Sequence, residues 1–286
     1  MSNKVYEIVT SKIIERLEKG EVAWQKGWNG KKINYISRKE YRGVNQLLLD
    51  RAGEYLTWNQ IQKEGGKVKK GAKSQMITFY KTMSKTVEEE NEQGEVEKVK
   101  KKIPLLRYYR VFHIDDTEGI ESKLDLEEHN PIDQAENIIE NFIDKPEIEF
   151  KYSNKACYQP RVDKVINPLK GQFKDMNEYY STLFHELAHS TGHKSRLDRF
   201  SNSADQFIFA SESYSKEELV AEISSAMLLA KTGIDTEKTI ENSAGYIKSW
   251  ISKLKEDNKL IVQASNSAQK VVDYITAEKK AEQKTA

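Results

Sequence analysis

The stretch TLFHELAHSTGH, residues 182–193, holds three of the chain's five histidines, and its reading decides what the second half of the molecule is. His185 and His189 stand four residues apart, so on a helix both imidazoles project from one face. That spacing lets two neutral histidine nitrogens reach a single Zn2+. Glu186 follows the first histidine, placed to take a proton from a metal-bound water without ligating the metal itself. Leu183, Leu187, Tyr179 and Tyr180 supply faces that can pack such a helix into a core. The competing reading is a structural helix that happens to carry histidines, and a third ligand is what separates the two.

Two sources of that ligand can be tested on the sequence. The extended pattern H-E-x-x-H-x-x-G-x-x-H places Gly192 correctly, but its last position holds Ser195, and His193 comes two residues early. The other source is a glutamate on a later helix. In SKEELVAEISSAMLLA (215–230) Glu218 and Glu222 share a helical face, while Leu219, Ile223, Ala226 and Met227 can pack inward. Glu218 is assigned as third ligand and Glu222 as the partner of a histidine Nδ1–H. The reverse assignment of the two glutamates stays open. Two histidines and one glutamate leave a fourth position for water, the mark of a catalytic rather than a structural site. Zn2+ suits these donors, and Mn2+ or Co2+ are admitted. KVINP (164–168), just before the motif, is the candidate strand for holding an extended peptide by strand addition. Tyr179, Tyr180, His193, Arg196 and Tyr214 are the candidates for a catalytic electrophile.

With 286 residues there is room for two domains. No apolar run approaches a transmembrane length, and MSNKVYEIVTSKIIERLEKG reads as an amphipathic helix rather than a secretory leader. A single cysteine, Cys157, excludes an intramolecular disulfide, is read as a small buried apolar residue, and suits a reducing, cytoplasmic location. The net charge of +1 hides an asymmetry: residues 1–115 hold 24 Lys and Arg against 15 Asp and Glu, and residues 116–286 hold 22 against 30. The basic half is the candidate for a polyanion.

Apolar periodicity predicts a helix over 3–19 ended by Gly20, short helices at NQLLLDRA (45–52) and TWNQIQKEGG (57–66), and Thr57 as N-cap of the latter. SQMITFYK (74–81) and IPLLRYYRVFHI (103–114) read as a paired hairpin. The charged stretch between them, about 84–102, reads as a long exposed or disordered tip. An acidic, proline-containing linker (121–134) leads to a second unit from about Ala135. There a helix and three short strands precede helices at roughly 176–191, 216–232, 240–257 and 259–277. In the basic half, Trp24, Trp28, Lys31, Lys32, Arg38, Tyr41 and Arg42 interleave aromatic rings with cations. Lys67, Lys69, Lys70 and Lys73 sit among glycines. Such a surface offers phosphate contacts and stacking platforms for unpaired bases, and no duplex-reading helix or zinc finger is visible.

Taken together, YYSTLFHELAHSTGHKSRLDR (179–199), SKEELVAEISSAM (215–227), YRGVNQLLL (41–49), TWNQIQKEGGKVKKGAKS (57–74) and LLRYYRVFHIDDTEGI (105–120) resemble the ArdC-type antirestriction family of plasmids and other mobile elements. The resemblance runs in order over residues 4–276. It implies a single-stranded-DNA-binding domain fused to a zincin-like metallopeptidase domain and a role in protecting incoming DNA from restriction. His185, Glu186, His189 and Glu218 fall on the family's metal and catalytic positions. Ser190 departs from the aromatic residue usual there, and the charged tip is expanded.

The expected fold is therefore α+β in two domains: an N-terminal α+β single-stranded-DNA-binding domain (1–120), a linker (121–134) and a C-terminal zincin-like metallopeptidase domain (135–286). Three functions remain in play. They are a metallopeptidase acting on nucleoprotein, a DNA-shielding protein with a non-catalytic metal domain, and a general zinc peptidase that ignores DNA.

Overall fold

The computed structural model describes residues 2–24, 30–90, 96–124, 130–200, 212–234 and 244–277. Helix α1 (Ser2–Glu18) buries Val5, Val9, Ile13 and Leu17 along one stripe, and Gly20, at φ +78°, turns the chain away at the expected place. The basic half continues with β1 (Lys32–Asn34), α2 (Asn45–Leu48), β2 (Gly53–Thr57), α3 (Trp58–Lys63), β3 (Lys67–Val68), β4 (Gln75–Glu90), β5 (Val96–His113) and β6 (Thr117–Glu118). Thr57 caps α3 through a reciprocal box: its hydroxyl accepts from the Gln60 N–H at 3.3 Å, and Gln60 Oε1 accepts from the Thr57 N–H at 2.8 Å.

The main sheet has the order β1-β2-β5-β4, parallel between β1 and β2 and antiparallel elsewhere. The hairpin is longer than its apolar residues indicate. The ladder runs through the charged stretch to Glu90 and Val96, with Glu88 opposite Lys98 and Lys85 opposite Lys101. Of the two expectations, exposed or disordered, disorder is therefore wrong for 84–90 and 96–102, while Ser84 and Thr86 are exposed. A two-stranded ladder satisfies its own backbone without a core, which burial patterning cannot reveal. Residues 91–95 lie outside the described residues.

The second half begins earlier than Ala135. Asn130 accepts from the Ile132 N–H at 3.0 Å and Pro131 occupies the first turn of α4 (Pro131–Asn141), a start the linker assignment overlooked. At the linker's other end, Ser122 Oγ and the Lys123 N–H donate to the buried Glu54 carboxylate at 2.8 and 2.9 Å. Residues 125–129 lie outside the described residues. Strands β7 (Glu147–Lys151), β8 (Cys157–Gln159) and β9 (Lys164–Pro168) form a sheet in the order β7-β9-β8. Four helices follow: α5 (Met176–Ser190), α6 (Glu212–Thr232), α7 (Ala244–Glu256) and α8 (Leu260–Ile275). Among the described residues no helix is long and apolar enough to cross a membrane.

The main core runs across the linker. It joins Val9, Ile13, Leu17 and Trp24 to Tyr180, Phe184, Leu187, Ile223, Trp250, Ile261 and Val272. Full burial of an aliphatic side chain contributes about 1.5–3 kcal/mol, so the four on the α1 stripe contribute roughly 6–12 kcal/mol, the order of a whole domain's net stability. Helix α1 therefore binds the two halves together energetically.

Candidate metal centre and nucleic-acid face

Asp175 caps α5 by accepting from the Glu178 N–H at 2.9 Å. The helix then buries Tyr179, Tyr180, Leu183, Phe184, Leu187 and Ala188, which leaves His185 and His189 on the side facing α6, while Glu186 lies near enough to Cys157 of β8 for its charge to act on that thiol. There Glu218 Oε1 lies 3.4 Å from His189 Nε2 and Glu218 Oε2 lies 3.6 Å from His185 Nε2, with the two Nε2 atoms 3.0 Å apart. A tetrahedral ion with bonds of about 2.0–2.1 Å separates its ligand atoms by roughly 3.3–3.4 Å. The three measured separations bracket that value, and the donor set of two imidazoles and one carboxylate fits a divalent ion.

The carboxylate behind His189 is Glu217, which the sequence reading did not single out. Its Oε1 is 3.4 Å from His189 Nδ1, and Arg199 grips it through Nη2 at 2.6 Å and Nε at 3.1 Å. Arg199 also donates to Thr191 Oγ1 at 2.6 Å and to the Ala188 carbonyl at 3.0 Å, fastening the end of α5 to α6. Glu222, expected at a histidine Nδ1–H, instead accepts from Trp24 Nε1 at 2.8 Å and from the Tyr246 hydroxyl. Consecutive helical residues point about 100° apart, so Glu217 and Glu218 straddle His189, whereas Glu222 stands one turn further along.

Burial penalises charge at this site, and the paired groups overcome it. His189 is desolvated, yet Glu217 and Glu218 raise it to about 10. Despite burial, the two histidines hold Glu218 well below the usual carboxylate range, and His189 with Arg199 does the same for Glu217. Burial pushes Glu222 up. His189 thus carries a proton at neutral pH that a metal must displace. Uptake at pH 7 should release one proton, and apparent affinity should rise about tenfold per pH unit below that pKa. Calorimetry in two buffers of different ionisation enthalpy measures this; uptake without proton release would contradict it.

Three of the electrophile candidates are committed elsewhere. Tyr179 and Tyr180 are buried, with the Tyr180 hydroxyl donating to Glu136 at 2.6 Å. Arg196 is bound to Asp163 through both terminal nitrogens and to the carbonyls of Ser190 at 2.8 Å and Asp144 at 3.0 Å. It locks the turn after α5 to the β8–β9 turn. Removing it leaves Asp163, one-third exposed and still holding the Tyr158 hydroxyl at 2.8 Å, without its charged partner. Arg196→Ala should cost about 1.5–3 kcal/mol of stability in thermal or urea unfolding. A loss under 1 kcal/mol would free Arg196 for another role. His193, its Nδ1 2.8 Å from Ser195 Oγ, remains a candidate, and the Tyr214 side chain lies outside the described residues. Gly192 has a packing reason: a Cβ there would sit 2.3–2.7 Å from Phe200 ring atoms, so only glycine lets that ring close over the turn.

KVINP is not an open edge. It is β9, paired with β7 on one side and β8 on the other, so no peptide can add to it. The edge beside α5 is β8. Cys157 opens β8 and is half-buried rather than buried; desolvation and then the charge of Glu186 raise its thiol pKa.

The expected DNA-binding residues divide. Trp24 is fully buried and Tyr41 nearly so, which removes both rings as stacking platforms. Lys32, 1% exposed, donates to the carbonyls of Gln46 and Leu49 at 2.7 Å each. Arg38 pairs with Glu54, and Arg42 with Asp273 on α8. Trp28 lies outside the described residues. Lys31, Lys67, Lys69, Lys70 and Lys73 are exposed, the last four around the β3–β4 turn.

The exposed rings are others: Trp58 at 51%, with Phe79, Tyr80, Tyr108 and Tyr109. Tyr108, Arg110 and Phe112 alternate along β5 and so share a face, and Trp58 lies against Phe112 at 6.1 Å. The sequence hint was available in the pattern R-Y-Y-R-V-F, whose aromatic and basic residues fill positions on both faces of a strand.

Comparison with known proteins agrees with both halves. Residues 134–267 match the family of zincin-like metallopeptidases, and residues 3–112 match the N-terminal domain of anti-restriction factor ArdC. The metal-free crystal structure of antirestriction protein ArdC from plasmid R388 is 34% identical, with a TM-score of 0.72 over 94% of this chain and 96% of that one. The chain belongs to the ArdC-type antirestriction family. The Mn(II)-bound form of the R388 ArdC matches at 32% identity and a TM-score of 0.72, covering 95% and 97% of the two chains. The protein y4eC of Sinorhizobium fredii is 30% identical over 96% of this chain and 92% of its own. Two DNA primase TraC proteins of Escherichia coli are 31% and 32% identical over 95% of this chain, which spans only 20% and 27% of their lengths. The zincin-like family and the Mn(II)-bound relative point to a divalent metal, and His185, His189 and Glu218 are, among the described residues, the donor group that could hold one.

Proposed function

We propose that this ArdC-family protein is an antirestriction factor that holds single-stranded DNA and carries a zinc peptidase centre between α5 and α6. The observation that carries the reading is the convergence of His185, His189 and Glu218, with Glu186 next to the first of them in sequence and outside the donor group. His185, His189 and Glu218 would hold the ion, which when bound supplies Lewis-acid polarisation of a carbonyl and a lowered water pKa. Glu186, one residue after the first ligand, takes a proton from water and passes it to the leaving amine. Strand β8 offers backbone groups along which an extended substrate can lie.

Support for the DNA half comes from exposed Trp58, Arg110 and Tyr108, with half-buried Phe112 between them, and from the exposed lysines of the Lys67–Lys73 turn. Aromatic platforms with backbone cations suit unpaired bases of any sequence. Glu186→Gln tests the peptidase reading. Metal content should stay at one equivalent while hydrolysis of casein or of a DNA-bound protein substrate falls at least about a hundredfold. Undiminished turnover would remove Glu186 from the chemistry. Undiminished DNA protection by the same variant would assign the antirestriction role to shielding alone.

A further inference from the structure

Trp24 belongs to the basic half, yet its indole reaches into the helices that carry the metal centre. The ring is fully buried, meets Trp250 edge-on at 6.0 Å, and donates Nε1–H to Glu222 Oε2 at 2.8 Å. The Tyr246 hydroxyl of α7 reaches the same carboxylate, and Tyr246 packs edge-on against Trp250 at 6.2 Å. Glu222 is four residues beyond Glu218 on α6, a rise of about 6 Å on the same face.

We propose that Trp24 is a positioning residue for the metal centre. Through Glu222 it fixes the rotation of α6, and with it the Glu218 carboxylate that faces His185 and His189. A buried carboxylate needs hydrogen-bond donors, and this one takes them from two different parts of the chain. The zincin-like segment therefore supplies only one of the two donors itself, from Tyr246; residue 24, far outside it, supplies the other. Loss of a partner bonded directly to a ligand costs about 10–100-fold in metal affinity, and an anchor one helical turn from the ligand should fall at the lower end of that range. The inference rests on the metal reading above but not on the DNA reading.

The test is Mn2+ affinity of the full chain, read as free Mn2+ by electron paramagnetic resonance, for the wild type, Trp24→Phe, Glu222→Gln and the double variant. Phenylalanine keeps most of the ring and loses only the N–H donor. Each single variant should weaken Mn2+ binding about tenfold, and the double variant should be no weaker than the poorer single, because one acts through the other. Wild-type affinity in both singles, even with a lowered melting temperature, would reduce the contact to a packing role. A double variant near a hundredfold weaker would show two independent effects and equally overturn the proposal. If Trp24→Phe does not fold, Glu222→Gln is compared with Tyr246→Phe, which removes only the other donor. Affinity lost equally in both would assign the effect to Tyr246 and overturn the role of Trp24; a larger loss in Glu222→Gln is the expected result. No Mn2+ uptake by the wild type would instead overturn the metal reading, and this inference with it.

Discussion

Replacing His189 by alanine is expected to abolish stoichiometric uptake of Zn2+ or Mn2+, the largest effect of any single substitution at this centre. Its Nε2 lies 3.0 Å from His185 Nε2 and 3.4 Å from Glu218, so it is the apex at which the donors meet. Without it only His185 and Glu218 remain, 3.6 Å apart, too few donors to hold an ion against water. The fold should survive, because Glu217 keeps its two bonds to Arg199 and the buried face of α5 is untouched. Glu217→Gln makes the graded comparison. All three ligand atoms stay, but the imidazole loses its charged partner, and affinity should fall about 10–100-fold. Metal content after desalting, followed by titration, separates the two. One equivalent retained by His189→Ala would mean that the ion is held elsewhere.

Trp58→Ala and Tyr108→Ala are each expected to weaken oligo-dT binding by about 1–3 kcal/mol, roughly five- to 150-fold in Kd. Both rings are about half exposed, so their removal leaves no large cavity and should barely move the melting temperature. Tyr41→Phe is the control. That ring is buried, and its hydroxyl accepts from Asn34 Nδ2 at 3.2 Å, so DNA affinity should not change. Equilibrium anisotropy with labelled dT oligomers at fixed salt measures all three. Normal binding by both alanine variants, with loss in Tyr41→Phe, would return the DNA site to the region where the aromatic-basic clustering alone would place it.

The clustering of His185, His189 and Glu218 was legible because these residues are local or share one helical period. The i, i+4 spacing of His185 and His189 fixes their geometry whatever surrounds them, and Glu218 stands in a helix whose apolar positions show its buried face. The partner of His189 was not legible. Glu217 and Glu222 are both plausible by spacing, and choosing between them requires the position of α6 relative to α5, which is set by Arg199 and by Trp24. The expected stacking platforms at 24 and 41 failed for a related reason, while the lysines at 67–73 are exposed as expected. Aromatic and basic residues cluster at 24–42 in sequence, but Trp24 is drawn into the core that crosses both halves, Tyr41 into a small core of the first half with Leu49, Tyr55 and Val111, and Lys32 onto the carbonyls of Gln46 and Leu49. Strands were found where apolar residues alternate and missed where the hairpin runs on as charged ladder, since pairing alone leaves no hydrophobic period. KVINP was read correctly as a strand and wrongly as an edge, because order within a sheet is a long-range property.

The decisive experiment is binding of single-stranded and duplex DNA of one length by the full chain across a salt series. The full chain is needed because α1 and Trp24 bury their side chains against α6, α7 and α8, so a fragment ending near residue 120 would expose much of a shared core. With about four phosphate contacts from the Lys67–Lys73 turn and Arg110, log K should fall with log salt at a slope of about −3. The single strand should bind at least about tenfold tighter than the duplex, because only unpaired bases can stack on Trp58 and Tyr108. Equal affinity for both forms, or affinity indifferent to salt, would contradict the single-strand reading and leave the α5–α6 centre as the seat of the protein's activity.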